Sequence, residues 1–294
     1  MDNTVRPRNM TSSSGTSQDQ PTIHADLHTH TDRSDGRLSP ARLVKRAAER
    51  EIQVLAVTDH DTVDGIEAAV AAAEPHDLAV LTGTELSVSL DETELHLLAY
   101  GFDSGHERVR ECLEAMQEAR RRRAWEMIDR LRKQGVEVED AALREHISTT
   151  SAVGRPHVAA ALVRGGYVDT LDDAFDRYLG RDGPGFVAKP AFPADEALAV
   201  IHEAGGIGVL AHPGHWTPTR QIRRLVAAGL DGIEVYHPSH GSSLRRYYRR
   251  IARSYDLLVT GGSDYHGHTS EEEARLGHIG LNDARWERLR ASLT

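Results

Sequence analysis

Residues 23–60, IHADLHTHTDRSDGRLSPARLVKRAAEREIQVLAVTDH, contain two short apolar runs separated by an amphipathic stretch. The runs Ile23–Leu27 and Ile52–Val57 have the length of buried strands, whereas Ser39–Arg50 carries apolar residues at helical spacing. Two strands joined by a helix of this length are typical of parallel strands with a right-handed crossover. This stretch therefore predicts a strand–helix–strand unit.

The same alternation recurs along most of the chain. Five further apolar runs follow, at Leu78–Leu81, Leu95–Tyr100, Gly206–Leu210, Gly232–Tyr236 and Leu257–Val259. Most of the intervening segments have helical patterns, at Thr62–Glu74, Pro193–Ala204, Arg220–Ala228 and Ser242–Tyr255. Seven runs are too many for a small open sheet, so the pattern predicts an α/β fold, a barrel with helices outside.

The alternation stops between about Phe102 and Lys189, where helical patterns dominate. They cover Glu107–Gln134, Ala141–His146, Pro156–Arg164 and Leu171–Leu179. We expect a disordered polar tail at 1–22, a barrel at 23–102 and 189–294, and a helical insertion domain at 103–188. The insertion is expected over the carboxyl ends of the barrel strands. Met10, within the tail, is a second candidate for the translation start.

Composition narrows the class of protein. The 294 residues are 39% hydrophobic and 27% charged, which is typical of a globular chain with a sizeable core. The sequence has no apolar run long enough to span a bilayer and no signal peptide, and its single cysteine cannot form an internal disulfide. The net charge of -10 argues against broad binding to nucleic acid or anionic membrane. We expect a cytoplasmic enzyme or binding protein without membrane association.

Candidate metal ligands follow the apolar runs. Each residue alone fits a turn or a helix cap, but together they would lie at one face of a parallel barrel, where active sites occur. The nine candidates are His28, His30, Asp35, His60, Glu85, His96, His212, Asp264 and His266. Six imidazoles and three carboxylates without sulfur suit two or three ions of Zn, Mn or Fe better than Mg or Ca.

The charge of such a centre indicates its substrate. Three divalent ions against three carboxylates leave a positive pocket, which favours an anionic substrate that carries phosphate. Clustered ions also supply a hydroxide nucleophile near neutral pH and neutralise the charge of a phosphoryl transition state. We therefore expect metal-activated hydroxide to attack phosphorus.

Seven motifs resemble those of the PHP (polymerase and histidinol phosphatase) superfamily. From about His24 to the end they read DLHTHTDRSDG, VTDHDT, TGTELS, ELHLLAYGF, LAHPG, GIEVYHPSH and GGSDYHGH. The resemblance implies a distorted seven-stranded barrel with metals at the carboxyl ends of its strands. It also implies three ligand sets: His28, His30, Glu85 and Asp264 for the first metal, Asp35, His60 and His266 for the second, and Glu85, His96 and His212 for the third. Position 35 is Asp, where some members have histidine.

The insertion resembles one branch of that superfamily, the branch that contains RNase AM. The matching stretches are GRPHVA at 154–159, AFDRYLG at 174–180 and GPGFV at 183–187. This implies a 5'→3' exonuclease on short oligonucleotides, a phosphatase on nucleoside 3',5'-bisphosphates, or both. Gly185-Phe186 stands where Ala-Tyr is expected. The expected partner is thus a phosphate-bearing small molecule or a short oligonucleotide, with no stable protein partner.

Residues outside the ligand set also have candidate roles. Arg155, His157 and Lys189 are predicted to bind substrate, because a guanidinium matches a phosphate bidentately, although Arg155 and His157 also suit a plain helix start. His237 follows a strand and is a candidate to assist the metal-activated hydroxide. We interpret Arg120–Arg123 as a solvated helix face, with an oligonucleotide groove as the alternative.

Three other functions compete with the nucleotide phosphoesterase. A histidinol-phosphate phosphatase shares the barrel and the ligands, but the helical insertion favours the nucleotide branch. An amidohydrolase on a similar barrel commonly uses a carbamylated lysine as its bridging ligand, and the matching position here is Glu85. A binding module without activity is disfavoured because every ligand position is filled.

Overall fold

The computed structural model describes residues 23–91, 93–138, 150, 152–189, 192–215 and 217–293. The predicted tail at 1–22 and the predicted helix Ala141–His146 lie outside the described residues. One sheet contains seven strands in chain order: β1 Ala25–Asp26, β2 Val54–Val57, β3 Ala79–Leu90, β4 Thr93–Tyr100, β5 Ile207–Leu210, β6 Gly232–Tyr236 and β7 Leu258–Gly261. Each predicted apolar run therefore contributes a strand.

The first and last strands meet, so the sheet curls into a nearly closed barrel. The Leu27 amide donates to the Gly261 carbonyl at 3.3 Å, and Thr29 forms a parallel bridge with Tyr265 beyond the two strands. The ten α-helices of the described residues are α1 Pro40–Ala48, α2 Ile66–Ala73, α3 Glu107–Lys133, α4 Arg155–Arg164, α5 Leu171–Ala174, α6 Ala194–Glu203, α7 Thr219–Ala227, α8 Ser242–Ser254, α9 Ser270–Arg275 and α10 Asp283–Arg290, and a π-helical turn at Phe175–Leu179 continues α5. The α/β barrel expected from the sequence is confirmed.

The barrel is not wholly parallel, which corrects the expectation that all strand carboxyl ends share one face. Strand β4 runs antiparallel to both β3 and β5. Only residues 91 and 92 separate β3 from β4, which leaves room for a hairpin but not for a crossover helix. Because β4 is reversed, its early residue His96, and not its carboxyl end, lies at the face where β2 and β5 finish.

The helices between β4 and β5 have a hydrophobic core of their own. The second half of α3 packs on α4 through buried residues that include Met127, Ile128, Leu131, Val158 and Leu162. The first half of α3 lies against the barrel, where the Gln117 amide donates to the Asp61 carbonyl at 3.1 Å. Asp61 follows β2, so this contact is on the metal-ligand side. The predicted domain boundaries themselves stay predictions.

The four consecutive arginines of α3, Arg120–Arg123, are not one solvated face, and that interpretation is wrong for Arg120 and Arg123. Arg120 is 7% exposed, donates from Nε to the Asp61 carboxylate, and donates to Ser87 Oγ at 2.8 Å. Arg123 is 5% exposed and donates to the Val187 carbonyl at 2.9 Å. Carboxylate, hydroxyl and carbonyl partners stabilise these guanidiniums in the interior, while Arg123 Nη2 is buried without a hydrogen-bond partner among the described residues.

The length and hydropathy of the described helices do not match what a membrane span requires. No helix within the described ranges is both long and apolar enough to cross a bilayer. The longest, α3, carries charged residues along its whole length.

Candidate metal centre

Glu85, which is 1% exposed, lies at the middle of the ligand cluster. Its carboxylate oxygens lie 2.7 to 3.3 Å from nitrogens of five imidazoles. Oε2 faces those of His28, His30 and His60, and Oε1 faces those of His96 and His212. One carboxylate oxygen thus faces each of two groups of imidazoles, which is the arrangement of a bridging ligand.

The first predicted ligand set is assembled at coordination spacing. The Nε2 atoms of His28 and His30 each lie 3.3 Å from Glu85 Oε2 and 3.3 Å from Asp264 Oδ1. In a tetrahedral site with bonds of about 2.1 Å, ligand atoms are about 3.4 Å apart. The four side chains therefore surround a space that fits one ion.

The other two predicted sets also converge. Asp35 Oδ1 lies 3.3 Å from His266 Nε2, and Asp35 Oδ2 lies 3.8 Å from His60 Nε2. Glu85 Oε1 lies 2.7 Å from His96 Nδ1 and 2.8 Å from His212 Nε2. All nine predicted ligands are thus brought together, and their coordination of metal stays a prediction.

Unsatisfied buried atoms support a cation in this cluster. His28 Nε2, both ring nitrogens of His30 and His60 Nδ1 are buried and have no hydrogen-bond partner among the described residues. Such atoms are costly to bury unless something else binds them. Imidazole nitrogens and carboxylate oxygens are a donor set that Zn, Mn and Fe accept together. The residues present therefore fit two or more divalent ions.

The DLHTH stretch places its two histidines after a strand shorter than predicted. Strand β1 ends at Asp26, so His28 and His30 lie beyond it. The chain stays aligned with the barrel there, because Thr29 pairs with Tyr265 and donates from Oγ1 to the Ala56 carbonyl at 2.6 Å. Both imidazoles consequently face Glu85, as the alternation of side chains predicted.

Glu234 is a functional residue that the sequence analysis missed. It is fully buried on β6, with Oε1 3.0 Å from His28 Nδ1 and Oε2 accepting from the His212 amide at 2.7 Å. A carboxylate that holds the second nitrogen of a metal-binding imidazole fixes its tautomer and orientation. The available signal was a single acidic residue inside the apolar run GIEVY.

Asp59 organises the loop that carries Asp35. It accepts from the Thr31 amide at 2.7 Å, from the Thr31 hydroxyl at 2.6 Å and from the Ser34 hydroxyl at 2.6 Å. Residues 35–39 connect this loop to helix α1. The acidic residue of the TDH motif that precedes His60 therefore acts as a loop support.

Burial and the histidine charges act in opposite directions on the central carboxylates. Burial alone would raise the pKa of Glu85, but the charges of His60 and His96 hold that pKa well below its usual range. Burial also acts to raise the pKa of Glu234, but the charges of His28, His237 and His212 together with the hydrogen bond to His28 lower it. Both groups are therefore carboxylates at neutral pH, able to bind cations or imidazole N–H groups.

Replacing Glu234 with glutamine is expected to weaken metal binding by about 10- to 100-fold, the range found for residues that orient metal ligands. The loss of phosphoesterase activity should be large at limiting Mn and partly recovered at excess Mn, because all nine candidate ligands remain. Activity measured across a Mn titration checks this. An equal loss at every Mn concentration would contradict the positioning role.

The residues predicted to bind substrate lie in different places. Lys189 Nζ is 2.9 Å from Glu94 Oε1 and 3.4 Å from His96 Nε2, directly beside the ligand cluster. Arg155 opens α4, with its guanidinium carbon 5.9 Å from the Phe175 ring centroid. His157 Nδ1 accepts from the Gly154 amide at 3.0 Å, which serves the helix start.

His237 is brought to the cluster, as the sequence suggested. Its Nε2 lies 3.2 Å from Asp264 Oδ2, and its Nδ1 lies 2.8 Å from Ser239 Oγ. His240 serves the backbone instead, because its Nε2 accepts from the Gly214 amide at 3.1 Å. His237 therefore contacts Asp264, one of the nine candidates. His268, which is also outside the nine, lies with its Nε2 2.7 Å from the Asp35 carbonyl oxygen.

Comparisons with known proteins agree with this geometry. The chain is 36% identical to a 5'-3' exoribonuclease of Haemophilus influenzae over 82% of this chain and 89% of that protein. It is 34% identical to a 3',5'-nucleoside bisphosphate phosphatase of Chromobacterium violaceum, over 86% of this chain and 90% of that one. A crystal structure from Bifidobacterium adolescentis, of a protein assigned as a metal-dependent phosphoesterase, has a TM-score of 0.83 and 31% identity, covering 93% of this chain and 98% of that chain.

The sequence profile of the PHP domain matches residues 26–180, which include the loops after β1 and β2 and the hairpin that carries Glu85 and His96. The barrel, the assembled ligand cluster and the similarity to whole relatives all agree with this match. This chain belongs to the PHP domain family.

Proposed function

We propose that this chain is a metal-dependent phosphoesterase that hydrolyses phosphate esters of nucleotides. It acts on nucleoside 3',5'-bisphosphates, on the 5' ends of short oligonucleotides, or on both. The observation that carries the proposal is the Glu85 cluster, in which five imidazole nitrogens lie within 3.3 Å of one buried carboxylate. The names of the two relatives support nucleotides as the substrate class.

The centre would hold two or three divalent ions, of which Mn, Zn and Fe fit the donor set best. When bound, such ions lower the pKa of a coordinated water and neutralise charge on a phosphoryl transition state. His28, His30, Glu85 and Asp264 would hold the first ion, Asp35, His60 and His266 the second, and Glu85, His96 and His212 the third. We also propose that this chain works in the cytoplasm, where nucleotides and short oligonucleotides are available as substrates.

His237 is placed to move a proton. Its ring lies between the Asp264 carboxylate and the Ser239 hydroxyl, and it is 6% exposed. An imidazole in this position can transfer a proton to the leaving oxygen as the phosphate ester bond breaks. Asp264 and Ser239 hold the ring in place through its two nitrogens.

Four cationic side chains lie between the metal-ligand cluster and the helices that follow β4: Lys189, Arg120, Arg123 and Arg155. Lys189 lies beside His96, and burial together with the charge of Arg120 lowers the pKa of Lys189. Burial and the nearby charge of Arg155 lower the pKa of Arg123 to about 10. Four cations gathered within electrostatic reach of each other would hold the phosphate that is not being hydrolysed.

Replacing Arg155 with alanine is expected to lower kcat/KM for a nucleoside 3',5'-bisphosphate by about 2–4 kcal/mol, the cost of a lost charge-assisted contact. p-Nitrophenyl phosphate has no second phosphate and should be affected much less. Both substrates and the melting temperature are measured on the same variant. Equal losses on the two substrates with a lower melting temperature would show that Arg155 only starts helix α4.

A phosphate-release screen tests the proposed function itself. Nucleoside 3',5'-bisphosphates, short 5'-phosphorylated oligonucleotides and histidinol phosphate are compared in the presence of Mn or Zn. We expect the nucleotide substrates to be hydrolysed with a kcat/KM well above that for histidinol phosphate. Preferred hydrolysis of histidinol phosphate, or of an amide with no phosphate release, would overturn the assignment.

A further inference from the structure

A crevice of about 470 Å³ lies between α8, α10 and the amino end of β7. Asp256, Leu258 and Val259 line it, whereas the metal-ligand candidates Asp264 and His266 follow the carboxyl end of that strand. Residues 260–263, the first two of which end β7, separate Val259 from Asp264 along the chain. The crevice is therefore distinct from the metal centre, and its volume is in the range of ligand sites.

The crevice concentrates positive charge in a chain that is acidic overall. Arg249 and Arg253 of α8 face Arg285 and Arg288 of α10 across it, and Asp256 is the one carboxylate of the lining. Within the described residues none of these four arginines lies within ion-pair distance of a carboxylate. Some surface arginines elsewhere are paired, such as Arg224 with Asp91 and Arg290 with Glu287, so the crevice is set apart by four arginines on one lining rather than by the absence of pairing alone.

One wall of the crevice is prepared for a polar ligand. The Tyr236 ring lies between two guanidiniums, with the central carbon of Arg285 4.5 Å and that of Arg245 5.8 Å from its centroid. The Tyr236 hydroxyl and the Arg245 Nε are buried and have no hydrogen-bond partner among the described residues. Stacking holds Arg285 in place before a ligand arrives, and an unsatisfied buried donor gains free energy when one does.

We propose that this crevice binds phosphate groups of a phosphorylated ligand, at a site separate from the metal centre. Planar guanidiniums bind phosphate oxygens bidentately, and the charges of four guanidiniums can neutralise a diphosphate. Two sources share this chemistry: a free diphosphate compound, and the phosphodiester strand of an oligonucleotide whose end lies elsewhere. The proposal requires no activity at the metal centre.

Calorimetric titration of the full chain with methylenediphosphonate, a diphosphate without a hydrolysable bond, tests the site. The variant Arg249→Glu/Arg253→Glu reverses two charges in the crevice. Its matched control, Arg246→Glu/Arg250→Glu, reverses two exposed charges of the same helix that do not line the crevice. We expect the first variant to weaken one class of site at least about tenfold and the control to leave it unchanged.

The metal centre also attracts phosphate, so the titration is repeated on Glu85→Gln, where the crevice event should persist. Equal weakening in both charge variants, or complete loss of binding in Glu85→Gln, would overturn the proposal. Oligonucleotides of 4 and 20 nucleotides then separate the two sources. A higher KM for the longer one alone, in Arg249→Glu/Arg253→Glu, identifies a strand as the ligand; unchanged KM values with lost diphosphonate binding identify a free diphosphate.

Discussion

Replacing Glu85 with glutamine is expected to lower kcat/KM for phosphate release by at least about 100-fold, together with the metal content. The amide removes the charge that separates neighbouring cations, and its NH2 group would face imidazole nitrogens that now lie 2.7 to 3.3 Å from oxygen. No other described carboxylate lies this close to nitrogens of five candidate imidazoles, since Asp35 and Asp264 each face three. Elemental analysis and a phosphate-release assay on the same preparation check both effects.

Glu94→Gln is the matched control, since Glu94 lies on the partner strand of the same hairpin, contacts Lys189 and, of the candidate imidazoles, lies near His96 alone at 3.9 Å among the described residues. We expect its metal content to be near native and its activity to fall by less than about tenfold. If Glu85→Gln kept full metal content and near-native turnover, Glu85 could not be the bridging ligand.

Removing the metals with a chelator is expected to abolish hydrolysis and to lower the melting temperature by roughly 5–10 °C. Ligands that bind only the folded state at about 100 times Kd add about 2.7 kcal/mol to its stability. Without cations, the nitrogens of His28, His30 and His60 are left buried and unsatisfied. Calorimetric melting before and after chelation, and after adding back Mn or Zn, measures the effect.

Hydrolysis that persists when the metal content has been measured as near zero would contradict the metal-dependent mechanism. A melting temperature that does not change while activity is lost and restored would limit the metals to a catalytic role. Recovery of both activity and stability on adding Mn is the expected outcome, because the folded barrel already assembles the ligands.

Much of the barrel could be predicted because each strand carries its own local signal. A buried apolar run such as Ile52–Val57 is recognisable wherever it pairs, and the polar residues that follow it mark its carboxyl end. The hairpin was missed because the run Leu78–Leu81 continues as TGTELSVSL, where polar and apolar residues alternate and no single apolar block stands out. The direction of β4 depended on the short connection after Leu90, and the boundaries of the apolar runs did not reveal how short that connection is.

The supporting charges could not be predicted, because each depends on a partner far away in the sequence. Arg120 is buried only because Asp61 lies opposite, and Glu234 only because His28 and the His212 amide meet it. In the sequence, four consecutive arginines are indistinguishable from a solvated face. A local pattern identifies candidate ligands, whereas the tertiary structure decides which charges hold them.

The closure of β1 onto β7 has a consequence for how the protein matures. The Ser263 amide donates to Asp26 Oδ1 at 2.9 Å across a sequence separation of 237 residues, and His28 and Asp264 meet next to that contact. During synthesis the early histidines therefore emerge long before their partners. Contacts of such long range form late because loop closure must precede them. The proposed first ligand set is complete only after β7 and Asp264 have left the ribosome, so we expect tight metal loading to follow translation and to fail in a chain truncated before β7.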